Sequence, residues 1–207
     1  LTFYYDDQKE SRNGMSVGPF TNEAARGWND YMQSITTVTF DDTFAYCTSI
    51  TSTEKWCSGC LNLTTINGLI NLNTENVTTM NSMFADCRKL TNLDLSHFKT
   101  SNVTSMWAMF NNCLSLTELD MSNFNTENVN DTYAMFAGCS ALTTIYVGSE
   151  WNTSKMSADY SRNMFADCLK LVGGAGTVFD ANHVDYTYAH IDGGTANPGY
   201  FTDKNAT

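Results

Sequence analysis

Cys57 and Cys60 stand in a C-x-x-C pair, a spacing used by redox dithiols and by half of a zinc site. No second C-x-x-C completes a zinc set. Cys57 falls where later segments carry Phe84 and Phe110, which marks it as a core position. Cys60, Cys87, Cys113, Cys139 and Cys168 recur in one frame. They read either as a buried column of free thiols filling space or as a ladder of disulfides or metal ligands. Across the splayed side of a curved array, neighbours lie beyond the roughly 4.4–6.8 Å Cα separation of a disulfide, which favours thiols. Neither a metal nor a cofactor is expected.

His97, His183 and His190 share no hydrolase or metal spacing. His183 and His190 lie near Asp185 and Asp192, a grouping that could hold a weak cation or be ordinary surface polarity. No G-x-S-x-G, phosphate-binding loop or dinucleotide-binding glycine pattern is present. The GGAG at 173–176 follows no long apolar run and reads as a turn.

Eleven basic residues face 22 acidic ones in 207, a formal net charge of −11. So acidic a surface repels nucleic acid and anionic headgroups. With 42% hydrophobic residues the chain can bury one sizeable core, and no apolar run reaches the roughly 18 residues of a membrane span. The strand-like LTFYY at the start has no leader, the pattern of a mature or trimmed chain.

What positions the cysteines is a repeat. Residues 76–101 and 102–127 align without a gap and are identical at 14 of 26 positions. Their frame is N-V-T-x-M-x-x-M-F-x-x-C-x-x-L-T-x-L-D-[LM]-S-x-F. A third copy begins at Asn128, and a fourth keeps MFADC at 164–168 after an insertion. Upstream, Cys60, Leu63 and Ile66 follow the frame one residue out of phase, and Ile35, Val38 and Phe40 keep the leucine spacing. The organisation expected is a cap at 1–34, a repeat array at 35–171 and a closing cap at 172–207, all one structural domain.

Each copy has two periods. Val103, Met106, Met109, Phe110 and Cys113 step as one face of a short helix, with Asn102 or Thr104 as its N-cap. Leu116, Leu119 and Met121 end on a step of two, as in a brief strand. Neither element is stable alone, since isolated helices need about 12–15 residues. The fold class expected is therefore α/β, a solenoid of ~26-residue coils, each a short parallel strand plus a short helix, curved with the sheet on its concave side.

The L-x-x-L-x-L core resembles leucine-rich repeats. The fuller frame, NVTxMxxMFxxC ahead of LTxLDLSxF, resembles the BspA-type leucine-rich repeat proteins of bacterial surfaces. The segments at 1–14 and 173–202 are similar to those that open and close such arrays. The resemblance implies adhesion to host or matrix proteins or to other cell-surface molecules, an extracellular or cell-surface location, and no enzymatic activity. One departure is that Phe98 and Phe124 stand where leucine-rich repeats carry a turn-satisfying Asn or Cys. Backbone bonding at that corner must come from elsewhere, with the Asn and Thr residues around NTENVT as candidates.

By alternation, the outward strand positions are Asn92, Asp94 and Ser96, then Glu118, Asp120 and Ser122, then Thr144 and Tyr146. They form either a solvated sheet face or an acidic patch with an aromatic edge, suited to a basic or hydroxyl-rich ligand. Trp107 replaces Asn81 off the apolar stripe and is a candidate exposed anchor. Three roles compete: protein recognition or adhesion, a structural spacer within a surface protein, and a glycan-binding or hydrolytic module. Hydrolysis would need paired carboxylates about 5–10 Å apart in a cleft. Asp94 and Asp120 approach that pairing only on an open face. Sequons at Asn62, Asn76, Asn102, Asn130, Asn152 and Asn205 complete the inventory, two of them on the repeated NVT.

Overall fold

The computed structural model describes residues 1–20 and 25–205, so four residues of the expected opening cap, 21–24, lie outside it. Two short parallel sheets run through the described residues. In the first, β1 (Thr2–Phe3) pairs with β2 (Thr37–Phe40) and β2 with β3 (Thr65–Asn67). In the second, β4 (Glu118–Met121) pairs with β5 (Thr144–Val147) and β5 with β6 (Phe201–Asp203). The β4–β5 register sets Leu119 beside Ile145 and Asp120 beside Tyr146, so equivalent positions of successive copies meet. The intervening stretch 92–96 buries Leu93 and Leu95 and exposes its alternate residues, yet forms no strand.

The expected helix in each copy is absent. The described residues contain short 3-10 turns and no α-helix. In place of helical bonds, alternate N–H groups reach into the next copy. Met80 donates to Ser105, Ser82 to Trp107, Phe84 to Met109 and Asp86 to Asn111. One copy later, Met106, Ala108, Phe110 and Asn112 donate to Asp131, Tyr133, Met135 and Ala137. The N–H groups in between close local turns, from Met83 to Met80, Ala85 to Ser82 and Cys87 to Phe84.

This path needs left-handed backbone at two positions per copy: Ser82 and Asp86, Ala108 and Asn112, Ala134 and Gly138. The second of each pair is always Gly, Asp or Asn, the residues that tolerate positive φ at least cost (Gly59, Asp86, Asn112, Gly138, Asp167). A ten-residue helix gains little from propagation. A run of tandem turns satisfies the same backbone groups and also joins the copies.

The N-cap expectation falls with the helix. The Asn102 amide donates to the Glu75 carbonyl at 2.8 Å, and the Thr104 hydroxyl to the Thr78 carbonyl at 3.2 Å. Asn76 and Asn128 repeat the amide contact on Thr48 and Ser101. These side chains bond copy to copy and cap nothing.

The corner left open by Phe98 and Phe124 is closed by a buried threonine column, from NTEN at 73–76 and 125–128 and from KTSN at 99–102. Thr74, Thr100 and Thr126 each donate to a carbonyl of the following copy (Lys99, Asn125, Asn152) and accept that residue's N–H. A second column, Asn71 and Asn123, donates back to the Phe40 carbonyl and to those of Leu95 and Phe98.

The core is a set of such columns in apolar form. Phe84, Phe110, Phe136 and Phe165 stack nearly parallel with centroids 5.9, 5.8 and 5.6 Å apart. Val77, Val103 and Val129, and Leu90, Leu116 and Leu142, are fully buried alongside them. Tyr200 and Phe201 meet Phe165 edge-on and end the stack. No single copy encloses a core of its own.

Candidate functional site

All seven cysteines are free and buried. Four of the five column thiols have a specific backbone partner. Cys87 donates to the Cys57 carbonyl, Cys113 to Phe84, Cys139 to Phe110 and Cys168 to Phe136, at 3.0–3.3 Å. Burial pushes the column thiols up, Cys139 to about 12 and Cys60 to about 11, so they remain protonated at neutral pH. A buried S–H bonded to backbone is poor nucleophile chemistry and good corner chemistry.

The cation grouping in the closing segment resolves into separate structural contacts. Asp192 is almost wholly buried, and its carboxylate accepts from the N–H groups of Ala175, Thr177 and Gly194 and from the Thr177 hydroxyl. Burial raises its pKa, but these donors outweigh that and hold it at about 2. Asp185 accepts from Thr187 at the start of a 3-10 turn, and His183 lies on the Tyr188 ring at 4.3 Å. Among the described residues no group of three or more His, Cys, Asp or Glu side chains is arranged to hold a metal ion.

The sheet face presents its expected residues together. Glu118, Asp120, Thr144 and Tyr146 lie outward on β4 and β5, with Leu119, Met121, Ile145 and Val147 buried beneath. Ser122 continues this row, and Asn92, Asp94 and Ser96 are exposed one copy earlier. Both aspartates carry a structural duty. Asp94 accepts from the Ser96 N–H and Asp120 from the Ser122 N–H, each at 3.0 Å, which turns the chain at the end of the strand position. Hydrogen bonds from Ser96 hold the Asp94 carboxyl below the usual range. Burial raises Asp120, but Ser122 and Lys204 outweigh it.

Lys204 joins this face from outside the repeat. It follows β6, and its ammonium sits 3.0 Å from the Asp120 carboxylate and 4.4 Å from the centre of the Tyr146 ring. The acidic patch with an aromatic edge therefore already holds one cation. Trp107 is exposed, at 38%, and stacks on Tyr133 with ring centres 6.4 Å apart. Its neighbours Asn81, Ser105 and Asp131 form a hydrogen-bonded row through the Ser105 hydroxyl.

Parallel pairing between copies, with polar and thiol columns at the corners, defines a repeat protein. A family described as Mycoplasma protein of unknown function, DUF285, matches residues 34–175, and the chain belongs to that family. Among solved structures it is similar to a leucine-rich cell surface protein from Faecalibacterium prausnitzii A2-165, at 18% identity and a TM-score of 0.39. The similarity covers 67% of this chain, which spans 38% of that protein's length. No curated protein sequence matches the chain.

Proposed function

We propose that this protein is a BspA-type surface repeat protein that recognises other macromolecules through its outward sheet face. The copies stack as a solenoid from about residue 35 to 171, with 1–34 and 172–207 as caps. In this reading the protein acts outside the cell or on its surface, in adhesion or protein recognition, and carries out no catalysis.

The observation that carries the reading is the row of Glu118, Asp120, Thr144 and Tyr146 in register on two paired strands. It is an open, acidic surface with an aromatic edge on a chain of net charge −11. A long face of this kind suits extended partners, and its charge selects basic ones. The frame shared by 76–101 and 102–127 supports the surface-protein assignment, since it is the frame that resembles the BspA type. No helix among the described residues is long and apolar enough to cross a membrane.

The test is capture of matrix, plasma and cell-surface proteins by the wild type and by a triple variant, Asp94→Asn, Asp120→Asn and Tyr146→Leu. The amides keep the turns that the aspartates make, so folding should persist. Binding is expected to drop at least tenfold in the variant. Equal capture by both proteins would leave the face a structural surface, and turnover of a glycoside by the wild type would overturn the non-enzymatic assignment.

A further inference from the structure

We propose that Lys204 is a tethered occupant of the sheet-face site, and that the ligand it stands in for is a lysine ammonium on a basic polypeptide segment. This rests on the reading of that face as the binding surface and specifies its chemistry.

Two contacts converge on one point. The Asp120 carboxylate receives the Lys204 ammonium at 3.0 Å, and the Tyr146 ring lies 4.4 Å from it, within the range of a cation–π contact. Asp120 and Tyr146 are partners in register on β4 and β5, so the parallel pairing itself sets the spacing of carboxylate and ring. Glu118, one outward position away on β4, adds a further negative charge that Lys204 senses. The pair is thus a preformed receptor for a primary ammonium, with charge from one strand and an aromatic face from the next.

The occupant is loosely held. Lys204 and Asp120 side chains are each 46% exposed, and the lysine lies just past the last strand, on a turn. An exposed ion pair of this type is weak and screened by salt. A lysine offered by a partner can replace it without disturbing β6, whose pairing with β5 runs through the backbone. One copy earlier, Asp94 is exposed and makes no ion pair with a lysine or arginine among the described residues, so a partner with several lysines gains a second contact where Lys204 offers none.

Self-occupancy lowers apparent affinity by the fraction of molecules in which the site is free. Removing the lysine should therefore strengthen binding by about three- to tenfold. The experiment measures binding of a Gly-Lys repeat peptide, and of its Nε-acetylated twin, to the wild type, Lys204→Met and Lys204→Met/Asp120→Asn at low and high salt. Unchanged thermal midpoints establish that the exposed substitutions leave the fold intact. The expected result is tighter binding to Lys204→Met, loss of that gain in the double variant, and no binding of the acetylated peptide. Equal binding by wild type and Lys204→Met, lost with Asp120→Asn, would overturn self-occupancy and leave the sheet-face reading standing. Failure of both proteins to bind the lysine peptide would overturn the ligand class. The capture experiment with the triple variant then judges the face itself.

Discussion

Thr100 and Asn125 are joined by two hydrogen bonds through one oxygen. The Thr100 hydroxyl donates to the Asn125 carbonyl at 2.9 Å and accepts the Asn125 N–H at 2.8 Å. Thr74 and Thr126 make the same reciprocal contact one copy to either side, and all three are buried. Thr100→Val keeps the shape and strips both bonds, leaving a donor and an acceptor out of reach of water. The expected cost is about 1–3 kcal/mol. For a chain of this size that is a fall in thermal midpoint of about 2–4 °C per kcal/mol, read by calorimetry. Thr100→Ser should keep most of the lost stability. A Val variant as stable as wild type would mean the column carries no net energy.

His97 occupies the position that Asn71 and Asn123 hold in the neighbouring copies, and it does the job badly. The imidazole lies near the Leu69 carbonyl, but neither ring nitrogen makes a hydrogen bond of normal geometry, and both are hidden from solvent. Burial lowers its pKa below the ordinary 6.5, more strongly than Asp94 raises it. The unfolded chain therefore takes up this proton first as pH falls. Stability from this site is complete above 6.5 and is lost as pH drops through the folded value. His97→Asn should restore the amide column, add about 1 kcal/mol at pH 7, and flatten the decline in stability between the ordinary and the lowered pKa. Denaturant titrations of both proteins across that range check it. An equally steep decline in the Asn variant would assign the acid sensitivity elsewhere.

The thiol column predicts a kinetic signature. Every cysteine is buried, and four of the column thiols are bonded to a carbonyl, so an aromatic disulfide reagent at pH 8 should find almost no reactive thiol in the native protein. In denaturant without reductant all seven should react. Rapid modification of several thiols in the native state would contradict the burial, and a count three pairs short would reveal disulfides.

The repeat, the inward residues and the outward row were legible in the sequence because each rests on period alone. A period of 26 brings Phe84, Phe110 and Phe136 into one column whatever path the backbone takes between them. The helix expectation fails for the same reason. Steps of three, three, one and three bury one side of tandem turns as well as one side of a helix. The signal that separates them was present in Gly59, Asp86, Asn112, Gly138 and Asp167, each just before a column cysteine and each with positive φ. Glycine at two of these positions and Asp or Asn at the other three is the composition that left-handed backbone selects. The polar columns of NTEN and NVT were legible as residues with a backbone duty, although the duty is stacking and not capping. Lys204 was not legible at all. It lies outside the repeat, and only the pairing of β6 with β5 carries it over Asp120.

Deleting one whole copy tests the stacking of the copies directly. Removing 102–127 joins Ser101 to Asn128, and the NVT frame passes to the N-V-N of the next copy without a shift. The bonds that copy made to its predecessor have ready substitutes. Asn130, which donates to Thr104, would meet Thr78, and Phe136 would stack on Phe84 in place of Phe110. The β4–β5 pair is lost, and with it Asp120, so Lys204 and Tyr146 lose their carboxylate while β5–β6 remains. The shortened protein should therefore unfold cooperatively, with a denaturant m-value reduced roughly in proportion to the length removed. A deletion of 13 residues, which puts turn against strand, should not fold. If the 26-residue deletion also fails to unfold cooperatively, the copies are not interchangeable units, and the interior depends on contacts particular to each.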